Sequence, residues 1–106
     1  MNDEAEYFRQ ADAAFKRIDA TLGDVDVDVV DLERAGDVIT LTFAGGRRCV
    51  VNTQRPTRQI WVAASARGWH FRFDGSHWVD EKDAGVELFA TLAGIVREHA
   101  KLDVTF

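Results

Sequence analysis

The sequence predicts an α+β fold, a two-layer sandwich with an N-terminal and a C-terminal helix packed on one face of an antiparallel sheet of five to six strands. Three observations lead there. Apolar residues recur at helical spacing near both ends of the 106-residue chain, alternation of apolar and polar residues marks the middle, and turn residues punctuate that middle at short intervals. With both helices on one face, the other face of the sheet is left to meet water or a partner.

From Glu4 to Leu22, the residues Tyr7, Phe8, Phe15, Ile18 and Leu22 follow helical separations, with Ala11 and Ala14 in the same stripe. This is an amphipathic helix of about five turns. Asp12 and Asp19 share one flank of that stripe, and Gly23 is placed to stop the helix. In GDVDVDVVDLE, residues 23 to 33, Asp24, Asp26 and Asp28 have one parity and Asp31 and Glu33 the other. Val29-Val30 therefore marks either a bulge or the point where a loop enters the strand. With that change all five carboxylates face outward, while Val25, Val27, Val30 and Leu32 turn inward.

Ala35-Gly36-Asp37 reads as a turn into VITLTF, whose Ile39, Leu41 and Phe43 share a face, and Gly45-Gly46 as a hairpin turn into RRCVV. Three more short strands, IWVAAS, WHFRF and HWV, are separated by Arg67-Gly68 and Asp74-Gly75-Ser76. Helical spacing returns from Ala84 to Lys101 through Phe89, Leu92 and Val96, with Asp83 as the expected N-cap.

Length and an ordinary balance of 46% hydrophobic and 29% charged residues fit a single domain over residues 1–106. Apolar runs fall short of the roughly 18 to 20 residues a membrane helix needs, and the start, MNDEAEYF, is acidic. A soluble, cytoplasmic protein without membrane contact is expected. The lone Cys49 has no partner for a disulfide and suits a reducing compartment as a small strand residue. Charge is uneven: residues 1–37 carry a net −7, residues 38–73 a net +6 from six arginines, and residues 74–106 a net −4. The overall −5 argues against nucleic acid as a partner.

Local catalytic signatures are missing. His70, His77 and His99 stand outside any GxSxG-type context, and Ala44-Gly45-Gly46 lacks the phosphate-loop pattern, so no catalytic residue is assigned and no enzyme is expected. The acidic series says more. Clustered carboxylates attract hard cations such as Ca²⁺, Mn²⁺ or Fe²⁺, and basic protein surfaces; without EF-hand spacing or paired histidines, such a site would be open and labile. A second feature is NTQRPTRQIW, residues 52–61. If Ile60, Val62 and Ala64 face the core, Trp61 faces the opposite side, and the same parity turns Trp69, Phe71 and Phe73 in and His70 and Arg72 out.

This stretch, followed by SARGWHF, resembles the central signature of the frataxin family in its bacterial form. The matching positions are Asn52, Gln54, Pro56, Gln59, Ile60, Trp61, Gly68, His70 and Phe71. The resemblance covers nearly the whole chain, from FRQAD through the acidic first strand and TLTF to DGSHWVDEKDAGVELF. It implies a helix–sheet–helix sandwich that serves iron–sulfur cluster assembly as an iron-binding adaptor or regulator. By position, weak and labile Fe²⁺ or Fe³⁺ binding, with other divalent cations possible, falls on Asp12, Asp19, Asp24, Asp26, Asp28, Asp31 and Glu33. Contact with the cysteine desulfurase and the scaffold protein falls on Asn52, Gln54, Gln59 and Trp61. The resemblance further implies a monomer that iron could drive into oligomers. Where bacterial relatives often carry an N-terminal histidine and acids late in the first helix, this chain has Phe8, Lys16-Arg17 and Asp19-Ala20, which implies fewer or weaker ions.

Two readings from other classes compete. A ferroxidase that stores its product needs inward, preorganised carboxylates. A single-stranded RNA binder could stack bases on Trp61 and His70, against the net charge.

Overall fold

A stripe of Tyr7, Ala11, Ala14, Phe15, Ile18 and Leu22 is buried along helix α1 (Asp3–Leu22). The computed structural model describes residues 3 to 106; Met1 and Asn2 of the acidic N-terminal segment and the side chain of Asp3 lie outside the described residues. Gly23 ends α1 as expected, its N–H donating to the Asp19 carbonyl at 2.7 Å. A Cβ at Gly23 would stand 2.5 Å from that oxygen, so a larger residue would displace the helix end.

Six strands follow as a continuous antiparallel meander in sequence order: β1 (Val30–Ala35), β2 (Val38–Phe43), β3 (Arg48–Gln54), β4 (Gln59–Ala64), β5 (Arg67–Phe73) and β6 (Trp78–Asp80). Alternation does what the sequence predicts in the central strands. Ile39, Leu41, Phe43, Cys49, Val51, Ile60, Val62 and Phe71 point to the helices and join Phe15, Ile18, Leu88, Leu92 and Val96 in one core. Trp69 and Phe73 pack against it, half-buried.

In the acidic segment the loop alternative holds, and of the valines expected to face inward Val27 does not. β1 begins only at Val30, and residues 24–29 form a loop in which Val27 is 67% exposed rather than turned inward. Asp26 builds this loop: its carbonyl accepts from Val29 N and Val30 N, and its carboxylate from Asp28 N at 2.9 Å. An Asp side chain that captures a nearby backbone N–H favours a turn over a strand, whatever the alternation of its neighbours.

Two other boundaries move. The β4–β5 hairpin turns at Ser65-Ala66, with φ of 52° and 62°, and Arg67-Gly68 belongs to β5. Ala64 pairs with Arg67, leaving a two-residue turn whose backbone matches the twist of the strands, although neither residue is glycine. The second helix, α2 (Leu88–Ala100), starts later than expected and is capped by Glu87, whose carboxylate accepts from Phe89 N and Ala90 N. Asp83 instead accepts from Gly85 N in a turn. The intervening residues pair with the sheet, with Asp80 N donating to Val86 O and Val79 bridging Glu87, so their backbone is unavailable to a helix. Beyond α2, Leu102, Val104 and Phe106 pack back on the core. Phe106 lies against Phe89 with centroids 5.7 Å apart, and the Arg17 guanidinium covers Phe89 and donates to the Phe106 carbonyl. Among the described residues no helix is long and apolar enough to cross a membrane.

Candidate docking face and acidic edge

Because both helices cover one side of the sheet, the residues of opposite parity form an uncovered outer face. Its central row follows from the strand register: Val38 is opposite Asn52, Asn52 opposite Trp61, and Trp61 opposite His70. A neighbouring row carries Gln54, Gln59 and Arg72, and the one on the other side Thr40, Val50, Ala63 and Gly68. Asn52, Gln54, Gln59 and Trp61 are thus brought together on two adjacent rows. Pro56 sits in a single 3₁₀ turn (Arg55–Thr57) that closes the hairpin between them.

Trp61 is held by two neighbours, His70 and Gln59, which Glu81 joins to each other. Its ring stacks on His70, with centroids 4.1 Å apart and planes 12° from parallel. Its indole N–H donates to Gln59 Oε1 at 2.8 Å. Gln59 Nε2 donates in turn to Glu81 Oε1 at 3.0 Å, and the other oxygen of Glu81 lies 2.8 Å from His70 Nδ1. The hydrogen bonds from Gln59 and then His70 hold the Glu81 carboxyl below its ordinary pKa. An ionised carboxylate only accepts, so the proton lies on His70 Nδ1 and the amide nitrogen of Gln59 faces Glu81. Gln59, expected as a contact, is 8% exposed, and both ends of its amide are engaged within the chain. Asn52 makes only a 3.3 Å bond to the Thr53 carbonyl and remains half-exposed, as does Gln54.

Glu81 was not among the candidates, and it is the residue that joins this network. Its place opposite His70 depends on the register of the short β6, where Phe71 pairs with Asp80 and Glu81 N donates to the His70 carbonyl at 2.9 Å. No local pattern announces that register.

The carboxylates of the acidic series wrap around one edge of the molecule. Asp12 and Asp19 project from α1, Asp24, Asp26 and Asp28 from the loop, and Asp31 and Glu33 from the edge strand β1 with the parity of the outer face. All are exposed except Asp31, which is half-exposed. Asp12 is already paired, with Lys16 Nζ at 3.0 Å and Arg34 at 3.9 Å. Among the described residues no three acidic, His or Cys side chains converge as a group that could hold a metal ion. The donor set suits diffuse attraction of hard cations by separate oxygens, and offers no preformed cage.

The comparisons agree with this architecture. Residues 1–102 match the family model described as a Frataxin-like domain. An "Iron-sulfur cluster assembly protein CyaY" of Paraburkholderia phytofirmans is 41% identical over 103 residues, 97% of this chain and 96% of the relative. A protein of the same name from Ralstonia nicotianae is 39% identical, over 96% and 92% of the two chains. Both carry the name of an assembly protein rather than that of an enzyme. Among solved structures, the frataxin of Psychromonas ingrahamii, described as a model for stability modulation within the CyaY protein family, superposes with a TM-score of 0.86 at 26% identity, over 98% of this chain and 96% of that one. The trimeric frataxin of the yeast Saccharomyces cerevisiae, described as complexed with ferrous iron, shares the fold with a TM-score of 0.64 at 21% identity, over 96% and 88%. Sheet order, the two covering helices and nearly full-length matches in both sequence and structure give one conclusion: this chain belongs to the frataxin family.

Proposed function

We propose that the chain, as a single domain over residues 1–106, is a non-catalytic adaptor of iron–sulfur cluster assembly in the cytoplasm. In this reading it carries iron weakly on the acidic edge and docks on the cysteine desulfurase and scaffold complex. The names of its CyaY relatives support the pathway, and the ferrous complex of the yeast protein supports iron as cargo. The observation that carries the docking half is an immobilised tryptophan on an uncovered sheet face, flanked by the half-exposed Asn52. Buried or preorganised aromatic anchors lose little entropy on binding and dominate interface energies. Along the edge, separate carboxylates hold Fe²⁺ without trapping it and complement a basic partner surface. Trimers or larger oligomers belong to the same reading only when iron bridges carboxylates of neighbouring copies.

The test is binding to the cysteine desulfurase by wild type, Trp61→Ala and Asp24→Lys/Asp28→Lys at two salt concentrations. Asp24 and Asp28 are chosen because the Asp26 side chain builds the loop. Both variants should bind more weakly, and only the charge reversal should change the salt dependence. Equal retention by all three would exclude these surfaces. Oxidation of Fe²⁺ clearly faster than in a carboxylate buffer would favour a ferroxidase instead.

A further inference from the structure

The indole of Trp61, the amide of Gln59, the carboxylate of Glu81 and the imidazole of His70 form a closed cycle: three hydrogen bonds of 2.8 to 3.0 Å and one ring stack. Two members cannot be turned around: the Trp61 indole N–H only donates, and the ionised Glu81 carboxylate only accepts. An amide reverses donor and acceptor by flipping and an imidazole by changing tautomer, whereas an ionised carboxylate accepts at both oxygens. Glu81 therefore dictates the direction of the bonds from Gln59 and His70, in agreement with the donor-only indole at the other end of the Gln59 amide. It is itself anchored by Glu81 N to the His70 carbonyl at 2.9 Å, while Asp80 Oδ1 accepts from His70 N at 3.3 Å.

We propose that Glu81 is a positioning residue for the docking face: by orienting Gln59 and His70 it presents the Trp61 indole in one pose, with its N–H already used inside the chain. A partner then meets the carbon surface of the ring, and the surface it offers there is apolar. The inference rests on the docking role given to Trp61 above. The charged neighbours of the cycle are Arg72, opposite Gln59 on β5, and Lys82 and Asp80, which flank Glu81 in the chain.

The experiment compares wild type, Glu81→Ala, Gln59→Glu, the exchange Gln59→Glu/Glu81→Gln, and Trp61→Ala. Two readouts are the Trp61 Nε1–H resonance with its solvent exchange, and the dissociation constant for the cysteine desulfurase. Glu81→Ala should accelerate exchange of the indole proton and weaken binding about fivefold, the scale of one lost hydrogen bond. Gln59→Glu sets two carboxylates against each other and should do the same. In the exchange, Glu at 59 accepts from the indole and Gln at 81 donates to it while accepting from His70 Nδ1, so both readouts should return to within about twofold of wild type. An unchanged indole resonance and unchanged affinity in Glu81→Ala, with Trp61→Ala weakened, would overturn the proposal. Wild-type affinity in Trp61→Ala would instead overturn the docking role, and the indole resonance would still decide whether Glu81 holds the ring.

Discussion

Trp61 and His70, direct cross-strand neighbours on β4 and β5, stack within 12° of parallel on the sheet face that no helix covers. Aromatic pairs contribute about 0.5 to 1.5 kcal/mol beyond the area they bury, and cross-strand pairs are the unit of sheet stability. His70→Ala should therefore destabilise the fold by about 1 kcal/mol, lowering Tm by about 4 to 8 °C. Thermal unfolding followed by circular dichroism checks it.

The Glu81 carboxyl makes that corner sensitive to acid. Its hydrogen bonds to Gln59 and His70 lower its pKa below the ordinary 4.5. A carboxylate with a depressed folded-state pKa contributes stability that is fully present above the unfolded value and is lost as pH falls through the folded one. Wild type should accordingly lose stability more steeply than Glu81→Gln as pH drops below 4.5. Asp74, also lowered by its backbone hydrogen bonds to His77 and Ser76, is common to both proteins and cancels in the difference. Parallel melting curves of the two proteins over the acid range would rule this out if they kept a constant offset.

The Ser65-Ala66 turn stores backbone strain. Both residues occupy the left-handed region, which costs a non-glycine residue roughly 1 to 2 kcal/mol. Ala66→Gly should relieve part of this and stabilise the protein by about 1 kcal/mol, after allowing for the greater freedom of glycine in the unfolded chain. Ser65 is better left alone, since its Oγ lies 2.9 Å from His99 Nε2. Urea denaturation should show a higher midpoint with an unchanged slope.

The C-terminal tail acts as part of the core. Leu102, Val104 and Phe106 are half-buried, and Phe106 closes on Phe89 and Arg17. Removing residues 102–106 should cost about 3 kcal/mol, near 1 for each partly buried apolar side chain, with the sheet otherwise intact. A truncated protein as stable as the full chain in urea would contradict this.

Cation binding should respond to the pairs that already occupy the acidic edge. Lys16 Nζ sits 3.0 Å from Asp12. Lys16→Gln removes the closer of the two cations paired with Asp12, leaving Arg34 at 3.9 Å, and should raise the affinity for Mn²⁺ or Fe²⁺ by about twofold to threefold, the scale of one exposed ion pair. Anaerobic titration read by backbone signals from residues 12 to 33 measures it.

These features were legible in the sequence to different depths. Alternation is a local property, so it placed Ile60 and Val62 in the core and Trp61 on the outer face without further information. The same parity put Gln59 beside Trp61, yet Gln59 is buried, its amide held by Glu81, 22 residues away. Nothing local encodes that contact. The series from Asp24 to Asp28 alternates like a strand, but Asp26 turns it into a loop, its carboxylate accepting from Asp28 N and its carbonyl from Val29 N and Val30 N. The sequence pointed to Asp83 as the cap; pairing of residues 79–87 with each other moved the helix start to Leu88 and made Glu87 the cap.

Cys49 has a wider consequence. The side chain is fully buried between strands, and burial pushes its thiol up to about 12. A chain read as attending a machine that moves sulfur thus keeps its own sulfur atom out of reach of persulfides, alkylating agents and oxidants. Reagent can meet that atom only when the sheet opens, so the rate at which a thiol-specific label attaches to Cys49 is a clock for opening of the native state. Run with and without iron or partner, that clock reads how far each ligand holds the domain shut.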